Sequence, residues 1–297
     1  CGEELPPDKK TIKNKMTDST AINFATAGLG GVAGWWCVHP FNTLAVRMNL
    51  AGKGMAFPAF AADQIKRKGF MTLYDGIGAG TVRQIFYATS RFGLFEVFRD
   101  QVEKYREVGP LERIACGLGS GACAAFISCP AEVSLVRMAN DSQLPLDQRR
   151  NYKSVADAAV RIVKEEGVGA FWRGSAPFVN RAMLVGVTQV GTLDQFKHTY
   201  DEKFGIKLGT YSNVFAASMS SGLLYSIITM PFESAKNRMA MQKPGPDGVL
   251  PYRTILQTLK SVAAAEGVLG LWNGFVPYYG RCGGHTVTMF IFVELLR

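Results

Sequence analysis

The sequence predicts an all-α membrane protein: six transmembrane helices in three pseudosymmetric repeats, each with a short surface amphipathic helix, around a central cavity. Three observations predict it. Prolines at 40, 130 and 231 recur at intervals of 90 and 101 residues, and the stretches "KGFMTLYDG" (68–76), "EGVGAFWRG" (166–174) and "EGVLGLWNG" (266–274) keep the same beat. A long uncharged run leads into each proline, and an arginine-interrupted run follows each landmark glycine. Two markers in register at about 100 residues exceed the common solenoid periods, so each unit is a small helical bundle.

Each element follows in chain order. The first twenty residues balance four lysines against four acids with two prolines, forming neither a signal peptide nor an Arg-rich presequence. The first span of each unit carries no formal charge: Ala21 to Val46, Ile114 to Ala131, and Leu208 to Phe232, 18 to 26 residues that can cross a bilayer core. Pro40, Pro130 and Pro231 mark helix kinks near their ends. "GGVAG" (30–34), "GLGSG" (117–121) and "SMSSG" (218–222) offer small residues for close helix contact in lipid. Gly28-x-Gly30-x-x-Ala33 and Gly117-x-Gly119-x-x-Ala122 match a loose dinucleotide fingerprint. No strand precedes either, and both lie in uncharged spans, so packing is the better account.

Between the spans, residues 56–68, 152–166 and 252–266 read as amphipathic helices on the membrane surface. In the second, Ala156, Ala159, Val160 and Val163 form an apolar stripe, with Lys153, Asp157, Arg161 and Lys164 between them. The second span of each unit starts near Gly76, Gly174 or Gly274 and contains Arg83 and Arg91, Arg181, or Arg281. An arginine inside a membrane faces a polar cavity, not lipid. The chain thus divides into a polar extension at 1–20 and repeats at 21–107, 108–205 and 206–297 of one compact domain, with both termini on one side.

Composition agrees. Charged residues are 19% against about 25% in soluble proteins. A mean hydropathy of only +0.06 reflects the arginines in the second spans. The net charge of +9 concentrates in segments such as 65–69 and 147–154 between apolar stretches, which suits an anionic membrane surface, and no nucleic-acid motif accompanies it. Six cysteines form no zinc-ligand spacing and read as thiols in helices. His39, His198 and His285 form no nucleophile–base constellation, and His285 reads as a packing histidine.

Arg83, Tyr87 and Arg91 share one helix face at i, i+4 and i+8, as do Arg181, Thr188 and Gln189, and Arg281 with His285. Three guanidinium-bearing faces converging on an axis suit a small dianionic substrate, because the Arg fork binds carboxylate bidentately. Tyr87, Thr188 and Gln189 read as cavity walls.

A proline motif, with an acid two residues on and bases five and seven residues on, and its companion, acid–glycine followed by aromatic–base–glycine, recur in order three times over residues 20–297. The first is complete in the third copy (Pro231, Glu233, Lys236, Arg238), the second is complete in the second copy (Glu166-Gly167, Trp172-Arg173-Gly174), and both are partly substituted elsewhere. This resembles the mitochondrial carrier family. The resemblance implies a threefold barrel of six tilted helices in the mitochondrial inner membrane and a solute carrier rather than an enzyme. It further implies alternating access, with a salt-bridge network closing each end in turn. It implies exchange of small dicarboxylates or keto acids of the 2-oxoglutarate/malate type, with substrate contacts at Arg83 and its neighbour Gln84, Arg181 and its neighbour Ala182, and Arg281. It implies no cofactor, and cardiolipin held as a structural lipid at Gly76, Trp172, Gly174, Trp272 and Gly274.

The two gates implied by the resemblance differ. At the cytoplasmic end, Glu96/Arg99, Asp194/Lys197 and Glu294/Arg297 keep the acid and base of a complete ring. At the matrix end, the family pairs each acid with the base of the next repeat. Here those pairs are Asn42/Leu135, Glu132/Lys236 and Glu233/Ala45, which leaves one ion pair of three. Arg47 also meets Lys68-Gly69 where the family has an acid, so a further partner is missing. Asp75 and Asn273 replace the basic residue before two of the landmark glycines. One interpretation is a carrier that cycles on hydrophobic closure and the remaining pair. The alternative is a carrier-fold structural subunit of a respiratory or ATP-synthase complex. The three contact arginines favour transport.

Overall fold

The structure, a computed structural model, describes residues 31–52, 55–106, 109–145, 148–242 and 250–295. The polar extension, the first part of the first span with Gly28 and Gly30, and Arg297 lie outside the described residues, as do the side chains of Gln189 and Glu294. The helices are α1 (31–51), α2 (Phe57–Lys68), α3 (Ile77–Glu103), α4 (Pro110–Asp141), α5 (Val155–Glu166), α6 (Ser175–Phe204), α7 (Tyr211–Met241), α8 (Ile255–Glu266) and α9 (Phe275–Leu295). A 3-10 turn precedes each landmark glycine, at Phe70–Tyr74, Val168–Trp172 and Val268–Trp272.

The long helices close into a ring in the order α1, α3, α4, α6, α7, α9. The contacts α3 to α4, α4 to α6, α6 to α7 and α7 to α9 run around it. Trp36 Nε1 donates to Thr81 Oγ1 at 3.0 Å to join α1 to α3, and Thr288 Oγ1 donates to Gly34 O at 3.5 Å to join α9 to α1. By length and hydropathy alone, α4 from Leu111 and α7 are long and apolar enough to cross a membrane. Their outer faces expose Phe126, Ile127, Leu223, Leu224, Ile227 and Ile228.

Two threefold devices draw the proline-motif end shut. Gly76, Gly174 and Gly274 adopt φ of 81°, 88° and 84°. A Cβ there would meet Leu135 O at 3.3 Å, Lys236 O at 3.0 Å and Ala45 O at 2.9 Å, each the carbonyl five residues past the next repeat's proline. Only glycine permits both that backbone and that approach. The second device is a ring of arginines placed seven residues past each proline. Arg47 Nε donates to Ala139 O (2.9 Å), Arg137 Nε to Ala240 O (3.0 Å) and Arg238 Nη2 to Asn49 O (2.9 Å). These carbonyls lie in the last turns of α4, α7 and α1, where no intrahelical donor reaches them and the helix dipole is negative.

Pro130 and Pro231 sit inside continuous helices. Each removes the N–H that would serve the carbonyl four residues back. For Pro231 that carbonyl is Ile227 O, and Trp272 Nε1 donates to it at 3.0 Å. In the second repeat the equivalent Trp172 packs on Phe126, with ring centroids 5.8 Å apart.

One expectation needs correction, and another gains detail. Gly117 and Gly121 meet no neighbouring helix atom within 4 Å; α4 instead turns Gly119 towards Phe98 of α3, at 3.3 Å from a would-be Cβ. On α5 the buried face is Ala158 and Ile162, while Val160 and Val163 point outwards. The stripe read from sequence is therefore the face available to a membrane interface. Ser154 Oγ caps α5 by accepting from Asp157 N at 3.1 Å, and Asp157 Oδ2 accepts from Lys153 N at 3.0 Å.

The Trp272 bond yields a double-mutant prediction. Trp272→Phe leaves the Ile227 carbonyl unpaired and destabilises the fold by about 1 kcal/mol. In a Pro231→Ala background residue 231 supplies the missing backbone N–H, and the same substitution costs close to nothing. Thermal unfolding of the detergent-purified variants measures this coupling, and an unchanged cost in both backgrounds contradicts it.

Candidate functional site

Arg83, Arg181 and Arg281 each lie seven residues past a landmark glycine, so the same helical rotation brings all three to the barrel axis. They meet the residues two places past the three prolines, carried on α1, α4 and α7. Arg83 Nε lies 3.4 Å from Glu132 Oε2, Arg181 Nε 3.0 Å from Glu233 Oε2, and Arg281 Nη1 donates to Asn42 Oδ1 at 3.1 Å. Lys236 Nζ bridges both acids, at 2.5 Å from Glu132 Oε1 and 2.8 Å from Glu233 Oε1. Arg83 Nη2 also donates to Gln84 Oε1 at 3.0 Å. Asn42, Glu132, Glu233, Lys236 and Arg281 are buried. Four cations therefore face two carboxylates, leaving a net charge of two positive.

The expectation that one of the three proline-motif pairs survives holds, but the cluster is charged beyond it. Glu132/Lys236 forms as expected, but the second partners come from the arginines of α3 and α6 instead of from the next proline motif. The two missing bases leave apolar gaps that aromatic rings fill. Ala45 packs with Met230 and Tyr278, and Leu135 with Trp35, Val38 and Ala79. Those rings carry guanidinium groups: Arg83 stands 4.5 Å above Trp35 and Arg281 4.8 Å above Tyr278. At the intact position Lys236 lies 5.5 Å from the Phe178 ring.

Tyr278 escaped the sequence reading. It is fully buried, its hydroxyl receives a bond from Arg181 Nε at 3.1 Å, and it shares another with Thr229 Oγ1 at 3.0 Å. The available signal was its place one helical turn before Arg281, equivalent to Phe178 and Gly80. At Gly80 a Cβ would lie 2.4 Å from Trp35 Nε1, so the missing side chain makes room for that indole. Arg91, in contrast, is exposed and lies 6.0 Å from the Tyr87 ring, away from the cluster. Tyr87 and Ala182 pack against the apolar group around Val133 and Phe178.

A family model for the mitochondrial carrier protein matches three consecutive segments, residues 17–106, 106–204 and 208–297. The chain belongs to the mitochondrial carrier family. Among curated proteins it is 37% identical over 294 residues to the mitochondrial 2-oxoglutarate/malate carrier protein of Homo sapiens, covering 95% of this chain and 91% of that one. The similarity to the Caenorhabditis elegans protein of the same name is 37% over 292 residues, 96% and 95% of the two chains. The Bos taurus protein of that name gives 37% over 294 residues. Membership makes this chain a multi-pass transporter of the mitochondrial inner membrane.

Below the axial cluster of this carrier, the arginine ring takes one acid in each repeat. Arg137 holds Glu166 bidentately (2.6 and 3.0 Å), and Arg238 Nη2 lies 2.7 Å from Glu266 Oε1. In the first repeat the expectation that Arg47 lacks a partner fails. Arg47 Nη2 meets Asp75 Oδ2 at 2.7 Å, with Thr72 O and Ser142 Oγ at 2.9 Å. Repeat two places Glu166 and Arg173 seven residues apart and pairs them with each other; repeat one places Lys68 and Asp75 there. The charges are exchanged, and the buried guanidinium still finds a carboxylate.

At the opposite end, the expected ring of acids and bases does not assemble among the described residues. Arg99 pairs with Asp100 on its own helix (3.0 Å), Lys197 pairs with Asp194 on its own (3.2 Å), and Glu96 is exposed. The buried ion pairs thus gather at the proline-motif end, while the described charges at this end pair only within their own helices.

Two predictions follow from the lower ring. Asp75→Ala strips a fully buried guanidinium of its carboxylate; because Asp75 is itself one-third exposed, the cost falls below the ~3–5 kcal/mol of a fully buried pair. Adding Lys68→Glu returns an acid where the other repeats carry theirs and restores most of the loss in thermal unfolding; no recovery would show that Arg47 does not need that charge. The second concerns pH. Burial opposes ionisation of Glu166, and the guanidinium groups of Arg137, Arg150 and Arg173 outweigh it, holding the carboxyl below the ordinary range. With the folded value below the unfolded one, the stabilisation is full above the ordinary carboxylate range and disappears as pH falls through the depressed value. Glu166→Gln is therefore less stable than wild type at neutral pH, and the gap closes on acidification.

Proposed function

We propose that this carrier exchanges small dicarboxylates or keto acids of the 2-oxoglutarate/malate type across the inner membrane by alternating access. The observation that carries the reading is the buried axial cluster with two positive charges in excess, which a dianion neutralises. The guanidinium forks of Arg83, Arg181 and Arg281, one per repeat, match carboxylates bidentately, and a compact dianion can touch all three. Gln84 beside Arg83 offers an amide to a keto or hydroxyl oxygen, with Ala182 leaving space opposite. Tyr87 and Arg91 lie one and two turns beyond Arg83 on the same helix. The names borne by the similar curated carriers agree with this substrate class.

In this reading the structure is the state closed at the matrix gate, formed by Asn42, Ala45, Glu132, Leu135, Glu233 and Lys236, and open at the cytoplasmic gate. Substrate enters from the open end and meets the arginines where the helices converge. The structural-subunit alternative drew on lost gate charges; the arginine and aromatic substitutes remove that motive. Cardiolipin is the structural lipid we assign to the seams beside Gly76, Trp172, Gly174, Trp272 and Gly274. The N-termini of α3, α6 and α9 offer unpaired N–H groups to phosphate there.

Liposomes containing the purified protein and internal malate test the reading. Wild type takes up labelled 2-oxoglutarate. Arg83→Ala, Arg181→Ala and Arg281→Ala each reduce uptake at least about tenfold, the equivalent of losing about 1.4 kcal/mol of substrate interaction. Arg91→Ala retains most of the rate. Absence of exchange by wild type, with stoichiometric co-purification of a respiratory or ATP-synthase complex, would assign the chain a structural role instead.

A further inference from the structure

We propose that Glu132 and Glu233 together form a built-in stand-in for the substrate: they occupy the site's arginines until a dicarboxylate displaces them. The inference rests on the dicarboxylate reading above.

The two carboxylates are held as a pair, because one ammonium, Lys236 Nζ, bonds an oxygen of each (2.5 and 2.8 Å). Their other oxygens face the two arginines, Glu132 Oε2 towards Arg83 (3.4 Å) and Glu233 Oε2 towards Arg181 (3.0 Å). Two carboxylates bonded to one nitrogen sit as close together as those of a short dicarboxylic acid. The arrangement follows from a gap in this sequence. Position 45, where Glu233 would find its base, is alanine, and the alanine packs against Tyr278. Glu233 therefore turns to a substrate-contact arginine for neutralisation, which a buried carboxylate requires.

The third arginine differs. Arg281 faces the neutral amide of Asn42 and makes no ion pair with a carboxylate among the described residues. It is the point at which an incoming anion can bind without displacing a carboxylate. A substrate with a second carboxylate then exchanges with Glu233 at Arg181, and a contact at Arg83 releases Glu132. Each exchange swaps one carboxylate for another, so no guanidinium is left bare in the membrane. A monocarboxylate can take Arg281 but cannot complete the exchange. Once displaced, both gate acids share Lys236 alone, and the tie from α4 and α7 to α3 and α6 is released.

Two substitutions push the competition in opposite directions. Glu233→Gln removes the competitor at Arg181, and Asn42→Asp adds one at Arg281, 3.1 Å away in nearly unchanged shape. The readout is the 2-oxoglutarate concentration giving half of the ligand-induced thermal shift of the purified carrier. We expect that concentration to fall about tenfold in Glu233→Gln and to rise about tenfold in Asn42→Asp, equivalent to about 1.4 kcal/mol each way. Asn42→Asp should also raise the melting temperature without ligand. A merely structural ring predicts that higher melting temperature with half-saturation unmoved, and that result overturns the proposal. If Glu233→Gln does not yield folded protein, Asn42→Asp alone decides. If wild type responds to 2-oxoglutarate and neither variant shifts as stated, only the stand-in fails; if wild type neither responds nor exchanges, the dicarboxylate reading fails first.

Discussion

A guanidinium group taken out of water has to meet a carboxylate, a carbonyl or an aromatic face, and six of them gather at the closed end of this barrel. The lower three, Arg47, Arg137 and Arg238, cap the last turns of the neighbouring proline-bearing helices and take one acid each. The upper three, Arg83, Arg181 and Arg281, meet the residues two places past the prolines. The lower ring crosses from one repeat to the next, while the upper cluster reaches across both repeats and helix pairs. Removing one partner of such a pair costs about 3–5 kcal/mol against a whole-domain stability of about 5–15 kcal/mol. A sequence can therefore change which residue supplies the counter-charge far more easily than it can do without one.

The repeats diverge within that limit. Lys68 and Asp75 carry the reverse of the charges on Glu166 and Arg173, yet Arg47 remains bound to an acid. Where lysines are absent at positions 45 and 135, Tyr278 and Trp35 occupy the space and hold Arg281 and Arg83 over their rings. A desolvated cation–π contact contributes about 2 kcal/mol without any net change in charge. An ion pair would add a second ion to desolvate, which offsets much of its attraction. Replacing bases with rings thus keeps this end closed while leaving its two acids dependent on the arginines of α3 and α6.

The threefold order was legible in the sequence because it is carried by local spacing: the prolines, the landmark glycines and the arginines seven residues beyond them. Partner choice was not, because it depends on helices far apart in the chain, as with Arg281 and Asn42. Comparing positions column by column made Arg47 look unpaired; reading Lys68 together with Asp75, against Glu166 with Arg173, would have exposed the exchange. Tyr278 was hidden because an aromatic residue in an apolar span reads as packing, and only the structure places its hydroxyl on Arg181. On α5 the outward stripe was legible, but the second apolar face, Ala158 and Ile162, was not singled out, because periodicity cannot say which of two apolar faces meets protein.

The two ends of the barrel invest their charges differently. At the open end Arg99 and Lys197 bond acids on their own helices, and such exposed pairs contribute about 0–1 kcal/mol. At the closed end the ion pairs are buried and their attraction is largely offset by desolvation, so they fix geometry more than they add stability. The net advantage of the closed state is then small compared with the sum of its contacts. A carrier needs that condition, since a ligand shifts a conformational equilibrium only by its differential affinity for the two states. A closed end of strong, independent ion pairs would lie beyond the reach of one small ligand, whereas one whose acids lean on the axial arginines does not.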